Sequence, residues 1–493
     1  MPDAPLGFRS TISPTSTIDH LLLKLAQSGS AGSKESRNRH RNRQTPRTVR
    51  SFTGGHTRRT QAPLPRCPGS RLGASATSCA APPAGDSFAR VSRPNGFWLG
   101  NLKPPVAAPL PEGWQPWPLC QFILKLHSRC DLSCDYCYVY EMADQSWKSQ
   151  PRRASRSVIA HTASRIAEHA HAHRMPSVHL ILHGGEPLLA GPGHIAHTVR
   201  TVRQALGPDV RLDVSLQTNA MRLDEEFLRL FDELGVRVGV SLDGDAAGHD
   251  RHRRRADGRG SHATVTAALG LLGGRYRHLF GGLLCTVDAR NDPIATYEAL
   301  LESRPPRIDF LLPHGNWAEP PPGLGDGGTP YADWLIPIFD RWYAAPRRET
   351  EVRIFDDILR LLMGGSSSSE AVGLSPARMV VIEADGAIQQ SDTLKSAYPG
   401  APATGFHVAR DTFDAVLRHP AVMARQLGRD SLATACQDCP IVPVCGGGLY
   451  AHRYDPGSGF VNPSVYCRDL FRLITHIRGV LERDVAALLE GRR

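Results

Sequence analysis

The sequence predicts an α/β protein, a partial (β/α)6 barrel followed by a smaller cysteine-bearing C-terminal module. Three observations carry this reading. Six short apolar runs (Gln121–Leu126, Val178–Leu182, Leu212–Leu216, Val236–Leu242, Leu279–Val287 and Ile308–Leu312) alternate with segments of helical periodicity. Near-continuous apolar strands separated by helices indicate a parallel sheet covered on both faces. The first four runs each lead into a polar or cysteine-bearing loop. In βα barrels the chemistry gathers in such loops, at the C-terminal ends of the strands.

Taken in order, residues 1–112 are the least structured part of the sequence. They hold 16 Lys/Arg against 5 Asp/Glu, with Ser, Thr, Pro and Gly abundant, as in Ser33–Arg43. Such a composition buries too little apolar surface to offset the entropy of ordering it. The segment reads as a disordered basic tail; a precursor-recognition arm containing Phe8-Arg9-Ser10 is the sharper alternative. Because the tail carries the positive surplus, the remaining 42 Lys/Arg and 43 Asp/Glu nearly cancel and the net charge of +10 is no argument for a nucleic-acid partner. No apolar run approaches the roughly 20 residues that cross a bilayer, and the N-terminus lacks the pattern of a secretory signal. A cytoplasmic enzyme without a membrane or nucleic-acid partner is expected.

Residues 113–319 form the expected barrel. The loop after the first strand carries Cys130, Cys134 and Cys137. The second strand ends in His183-Gly184-Gly185-Glu186-Pro187, the third in Gln217-Thr218-Asn219 and the fourth in Ser241-Leu242-Asp243-Gly244. Residues 320–374 open with a Pro/Gly-rich linker and continue as two helices, Tyr331–Tyr343 and Val352–Met363. Residues 375–493 form the last module, with a hairpin turning at Asp385-Gly386, a second cysteine group and a closing helix near Leu470–Leu489.

Eleven cysteines are present, and seven of them cluster at 130–137 and 436–467. In a chain without a secretory signal, clustered cysteines point to metal rather than disulfides. The first group has the spacing C-x3-C-x2-C, with Tyr136 before its last member. Three thiolates on a [4Fe–4S] cluster leave one iron open to an outside ligand, whereas an electron-transfer ferredoxin needs a fourth. The second group, Cys436, Cys439, Cys445 and Cys467, supplies four ligands. That count suits zinc and a fully ligated iron–sulfur cluster equally.

The first motif resembles the signature of the radical S-adenosylmethionine (SAM) superfamily. The resemblance implies a SAM-binding [4Fe–4S] cluster on Cys130, Cys134 and Cys137. It implies SAM contacts from the turn Gly184, Gly185, Glu186 and Pro187, where the two glycines' missing side chains let the backbone approach a ligand. Gln217, Asn219 and Ser241 resemble contacts to the ribose and methionine moieties, and Arg253 resembles a partner of the SAM carboxylate. A solvated basic loop is the alternative for Arg253, which sits among Arg251, Arg254 and Arg255.

The second cysteine group resembles a SPASM auxiliary-cluster domain, with Ser391 and Leu449 standing where two further cysteines are expected. The resemblance therefore implies one auxiliary [4Fe–4S] cluster. Asp392 matches the place of a proton acceptor in sulfatase-maturating relatives; an exposed turn aspartate is the alternative. More narrowly, Cys120–Cys130, Cys137-Tyr138-Val139-Tyr140-Glu141, Ala143–Trp147 and Cys445–Tyr454 look like the FxsB family of peptide maturases. That resemblance implies oxidative modification of a small ribosomal precursor peptide with a Phe-x-Ser motif, joining an aromatic ring to a side-chain β-carbon. It also implies an electron donor such as flavodoxin or ferredoxin. Oxidation of Ser or Cys to formylglycine, and a non-catalytic iron–sulfur sensor, are the other readings.

Overall fold

A computed structural model describes residues 112–325 and 327–490. The readings of the N-terminal segment fall on residues outside these. Six strands follow the predicted runs to within two residues: β1 (Gln121–His127), β2 (Ser177–Gly184), β3 (Arg211–Thr218), β4 (Val236–Ser241), β5 (Phe280–Thr286) and β6 (Arg307–Leu311). Each is parallel to the next. Phe122 and Leu124 of β1, Leu180 and Leu182 of β2, and Val236, Val238 and Val240 of β4 are fully buried or nearly so. Such burial is what continuous apolar strands require.

The crossovers are helical: α1 (Arg156–Ala172), α2 (Pro192–Leu206), α3 (Glu225–Leu234), α4 (Ala246–His252), α5 (His262–Gly273) and α6 (Pro293–Leu301). Helix α3 shows how local sequence sets these boundaries. Asp224 caps it by accepting from the Phe227 amide, and Gly235, left-handed at φ 66°, closes it. Phe227, Leu228, Phe231 and Leu234 bury one face, the stripe expected of a helix packed on a sheet.

Two helices follow β6: α7 (Pro330–Tyr343) and α8 (Arg353–Leu362), with the two-residue β7 (Glu351–Val352) between them and parallel to β6. The expected hairpin is β8 (Met379–Ile382) and β9 (Ala387–Gln389), and β10 (Ala403–His407) adds an unforeseen third strand. Gly386 turns the hairpin at φ 98°, a conformation that disfavours a side chain.

β8 pairs in parallel with β1, so all ten strands form one sheet in the order β10-β9-β8-β1-β2-β3-β4-β5-β6-β7. β8, β9 and β10 thus share the barrel's sheet across the expected boundary at 374/375. The closing helix, α9 (Cys467–Glu490), is tied to α7 by Asp469. Its carboxylate accepts the Tyr331 and Ala332 amides at 2.8 and 2.9 Å, satisfying donors that a helix N-terminus leaves free. No helix among the described residues is long and apolar enough to cross a membrane.

Candidate active site

The three cysteines after β1 lie on a tight loop held from two sides. Cys137 donates its amide to the Cys134 carbonyl at 3.1 Å, and the Ser133 amide reaches the Arg254 carbonyl at 2.7 Å. The sulfurs meet N–H donors. The Leu132 amide lies 3.4 Å from Cys130 Sγ, Asn219 Nδ2 3.5 Å from the same atom, and Arg253 Nη1 4.0 Å from Cys134 Sγ. Burial pushes all three thiols up, Cys134 to about 11, so they hold their protons unless a cationic centre displaces them.

An open cleft of about 1040 Å³ has these cysteines on its wall, together with Tyr136, Gly184, Gly185, Gln217, Asn219, Ser241 and Arg253. Seven residues singled out in the sequence thus share one cavity with the three thiols. Gln217 donates to Ser241 Oγ at 3.0 Å, joining the ends of β3 and β4.

Glu186 and Pro187 stand elsewhere. Both are buried outside the cleft lining. The Glu186 carboxylate accepts from Thr218 Oγ1 at 2.7 Å, the Asn219 amide at 2.8 Å and the Leu188 amide at 2.9 Å. Burial raises this carboxyl to about 7, although those hydrogen bonds oppose it. The Glu186 side chain therefore pins the β3 loop and presents Asn219. The glycines also serve the protein before any ligand. A Cβ on Gly184 would stand 2.2 Å from the His127 carbonyl oxygen, and one on Gly185 1.8 Å from Tyr140 Oη. The close approach that demands glycine here is backbone against the cysteine loop.

Arg253 is not on a solvated loop. Its side chain is largely buried, with Nε 2.9 Å from Asp243 Oδ2 and the guanidinium 5.8 Å over the Tyr136 ring. Asp243, which sequence reading did not single out, is the hub. It also accepts from Tyr136 Oη and, at 2.9 Å, from the Thr286 amide. The one signal available was its place two residues beyond Ser241, in the β4 loop.

Asp392 is not an exposed turn residue either. It is buried, with Oδ1 2.6 Å from Lys125 Nζ; Lys125 is 3.0 Å from Glu383, which is 3.0 Å from Lys395. Burial works to raise the Asp392 carboxyl, but the Lys125 and Lys395 ammoniums outweigh it and hold it below the usual carboxylate range. Lys125 escaped the sequence reading because it lies inside the apolar run of β1.

The second cysteine group also converges. Cys436 and Cys439 flank the end of a one-turn helix, Cys445 ends another and Cys467 begins α9. Burial raises Cys436, Cys445 and Cys467, with Cys445 at about 11 and sensitive to the charges of Cys436 and Cys467. Four thiols suit zinc and a fully ligated iron–sulfur cluster equally. Ser391 and Leu449, the positions where the resemblance expects further cysteines, line a common cavity of about 2060 Å³.

With this geometry in view, comparison with known proteins is informative. The sequence model described as the radical SAM superfamily matches residues 124–283. These residues are a radical SAM domain. The chain is 23% identical over 366 residues to the cysteine-type anaerobic sulfatase-maturating enzyme of Clostridium novyi, covering 71% of this chain and 92% of that one. It is 23% identical over 391 residues to the serine-type enzyme of Bacteroides thetaiotaomicron, covering 73% and 89%. Among solved structures, anSMEcpe with bound AdoMet and Cp18Cys peptide superimposes with a TM-score of 0.65 at 20% identity, over 75% of this chain and 99% of that one. That likeness shows the fold.

All the residues that line the cleft of the first cysteine group lie beyond residue 112, from Cys130 to His314. Deleting residues 1–110 is therefore expected to leave the rate of SAM cleavage by the reconstituted enzyme within about twofold of the parent. Release of 5′-deoxyadenosine measures it; its loss from a folded truncation would move the domain boundary.

Proposed function

We propose that this radical SAM enzyme oxidises a ribosomally made peptide, joining an aromatic ring to a side-chain β-carbon within a Phe-x-Ser motif. The observation that carries the reading is the pairing of two cysteine sites: three thiols on an open cleft, and four more in the C-terminal module. Bound there, SAM and the first cluster supply hydrogen-atom abstraction from an unactivated carbon, and the second cluster supplies an acceptor for the electron that a net oxidation releases. An external flavodoxin or ferredoxin supplies the first electron.

The chain's own residues support the remaining steps. Tyr138, Leu311, Leu312 and His314 border both the SAM cleft and the larger cavity, giving an extended peptide a continuous path. His183 Nδ1 and His314 Nδ1 are buried without hydrogen-bond partners, free to meet a peptide's polar groups. Coupling removes two hydrogens, one as an atom and one as a proton and an electron. A ring regaining aromaticity loses a strongly acidic proton, so a carboxylate kept weakly basic by Lys125 suffices, and Asp392 is assigned that role. Ser391 and Leu449 sharing one cavity supports the loss of a single auxiliary cluster and retention of the other on Cys436, Cys439, Cys445 and Cys467.

A second reading, oxidation of Ser or Cys to formylglycine, is favoured by the sulfatase-maturating relatives. Anaerobic reaction with a small Phe-x-Ser peptide encoded beside the gene, against a sulfatase-derived Ser or Cys peptide, separates the two. We expect the first peptide to lose two hydrogens and its Phe-x-Ser segment to resist fragmentation. Fragmentation showing an aldehyde at Ser, or turnover of the sulfatase peptide alone, would overturn the crosslink.

A further inference from the structure

Two histidines meet where the SAM cleft joins the larger cavity. His314 lines both, and His452 lines the larger one together with Leu449. Their ring centres stand 5.8 Å apart, with the planes at 59°. His452 is 3% exposed, and neither His314 Nδ1 nor His452 Nε2 has a hydrogen-bond partner among the described residues. Buried polar groups are nearly always paired, so two unpaired nitrogens on neighbouring rings point to a ligand.

Neither ring is placed to swing away in search of a partner. Tyr138 packs edge-on against His314 at 4.6 Å, and Tyr466 packs against His452 at 4.9 Å. The backbone that carries each ring is stapled as well. Tyr466 Oη donates to the Pro313 carbonyl at 2.7 Å, and Asn316 Nδ2 donates to the Ser396 carbonyl at 2.8 Å. The His452 amide donates to the Leu449 carbonyl at 3.0 Å, and the Val465 amide donates to the His452 carbonyl at 2.9 Å. What remains is a half-turn of each ring in place, which exchanges nitrogen and carbon positions without altering the ring's shape. A ligand can therefore select the nitrogen it meets.

Burial pushes both imidazoles below their usual range, His314 to about 4, although the Asp392 charge opposes this at His314. Two neutral imidazoles offer an N–H from one ring and a lone pair from the other. A hydroxyl fits that pair, since its oxygen accepts from one ring while its hydrogen is donated to the other. A carboxylate only accepts, an ammonium only donates, and a methyl group does neither. We propose that His314 and His452 are specificity-determining residues that together hold the hydroxyl of the substrate's reacting serine. The inference rests on the reading of that substrate as a Phe-x-Ser peptide. The place suits it, because His314 borders the SAM cleft, where the serine β-carbon has to lie. A site built around a hydroxyl rejects an analogue without one, because its own polar groups are then left unpaired.

The test compares two peptides on the full-length reconstituted enzyme under anaerobic conditions: the Phe-x-Ser peptide encoded beside the gene, and the same peptide with alanine in place of the serine. Both carry β-carbon hydrogens for coupling. The parent enzyme is expected to favour the serine peptide at least about 100-fold in kcat/KM. In His452→Phe, which keeps an aromatic ring but offers no nitrogen, that ratio should fall below about tenfold. Both peptides are read on the same variant, so general damage to the enzyme cancels from the ratio. Should His452→Phe fail to fold, His314→Phe supplies the same ratio from the other ring. Equal use of the two peptides by the parent overturns the inference alone, with no substitution needed. A ratio that survives in a folded variant overturns the assignment to these two histidines. Modification of neither peptide overturns the Phe-x-Ser reading and the inference with it.

Discussion

Replacing Cys134 by alanine is expected to stop SAM cleavage, whereas replacing Cys439 leaves cleavage running without modified peptide. The two outcomes follow from ligand count. Among the described residues the cleft holds three thiols and no fourth cysteine, so losing one leaves a pair that cannot retain a cubane with an open iron. Deoxyadenosine release by Cys134→Ala should fall more than about 100-fold, to background, with one cluster's iron missing from about eight. Cys439 belongs to the other group and does not line the SAM cleft. Its alanine variant should cleave SAM within about tenfold of the parent while peptide product falls more than about 100-fold, since the electron has no acceptor. Deoxyadenosine, peptide and iron are measured in the same anaerobic reactions. Modified peptide at the parental rate from Cys439→Ala, with its first cluster intact, would make the second site structural.

The barrel was legible because its strands carry apolar residues at their buried positions, such as Leu180 and Leu182 of β2 and Val214 and Leu216 of β3. β1 to β6 therefore appeared as apolar runs, and the loops beyond them carried the cleft residues. What escaped notice lacked such a pattern. β7 is two residues long, and β10 passes through Gly405 at φ 78° without an apolar repeat. The arginines from 251 to 255 read as a solvated run, yet the structure gives three of them separate partners. Arg251 pairs with Asp288, Arg253 with Asp243, and Arg255 donates to Thr264. Charge runs look alike in sequence whether or not carboxylates 10 or 37 residues away fold back onto them. The side chain of Glu186 carried no such signal: its carboxylate points into the protein and holds Asn219.

Lys125→Met is expected to be the most destabilising single substitution around the cleft. Lys125 is almost fully buried in the middle of β1 and touches two carboxylates, Asp392 at 2.6 Å and Glu383 at 3.0 Å. Their charges raise its ammonium well above the ordinary lysine range despite burial. Removing it leaves Glu383 with Lys395, and Asp392 without its close partner. Breaking a buried pair by removing one member costs about 3–5 kcal/mol, because a charge is stranded. A urea unfolding midpoint for the metal-free chain would register that loss. The pH dependence identifies its cause. In the parent, Asp392 lies below its unfolded value, so its contribution is present above that value and lost as pH falls through the folded one. In Lys125→Met, burial without the partner raises Asp392 instead, and protonation on acidification relieves the stranded charge. The gap between variant and parent should therefore narrow as the pH is lowered from 7 toward the carboxylate range. Adding Asp392→Leu to Lys125→Met should recover part of the loss, by about 1 kcal/mol or more, as expected for groups in contact. A gap that stayed constant with pH would assign the effect to lost packing rather than to the ion pair. Asp392 would then have no need of Lys125 to remain ionised.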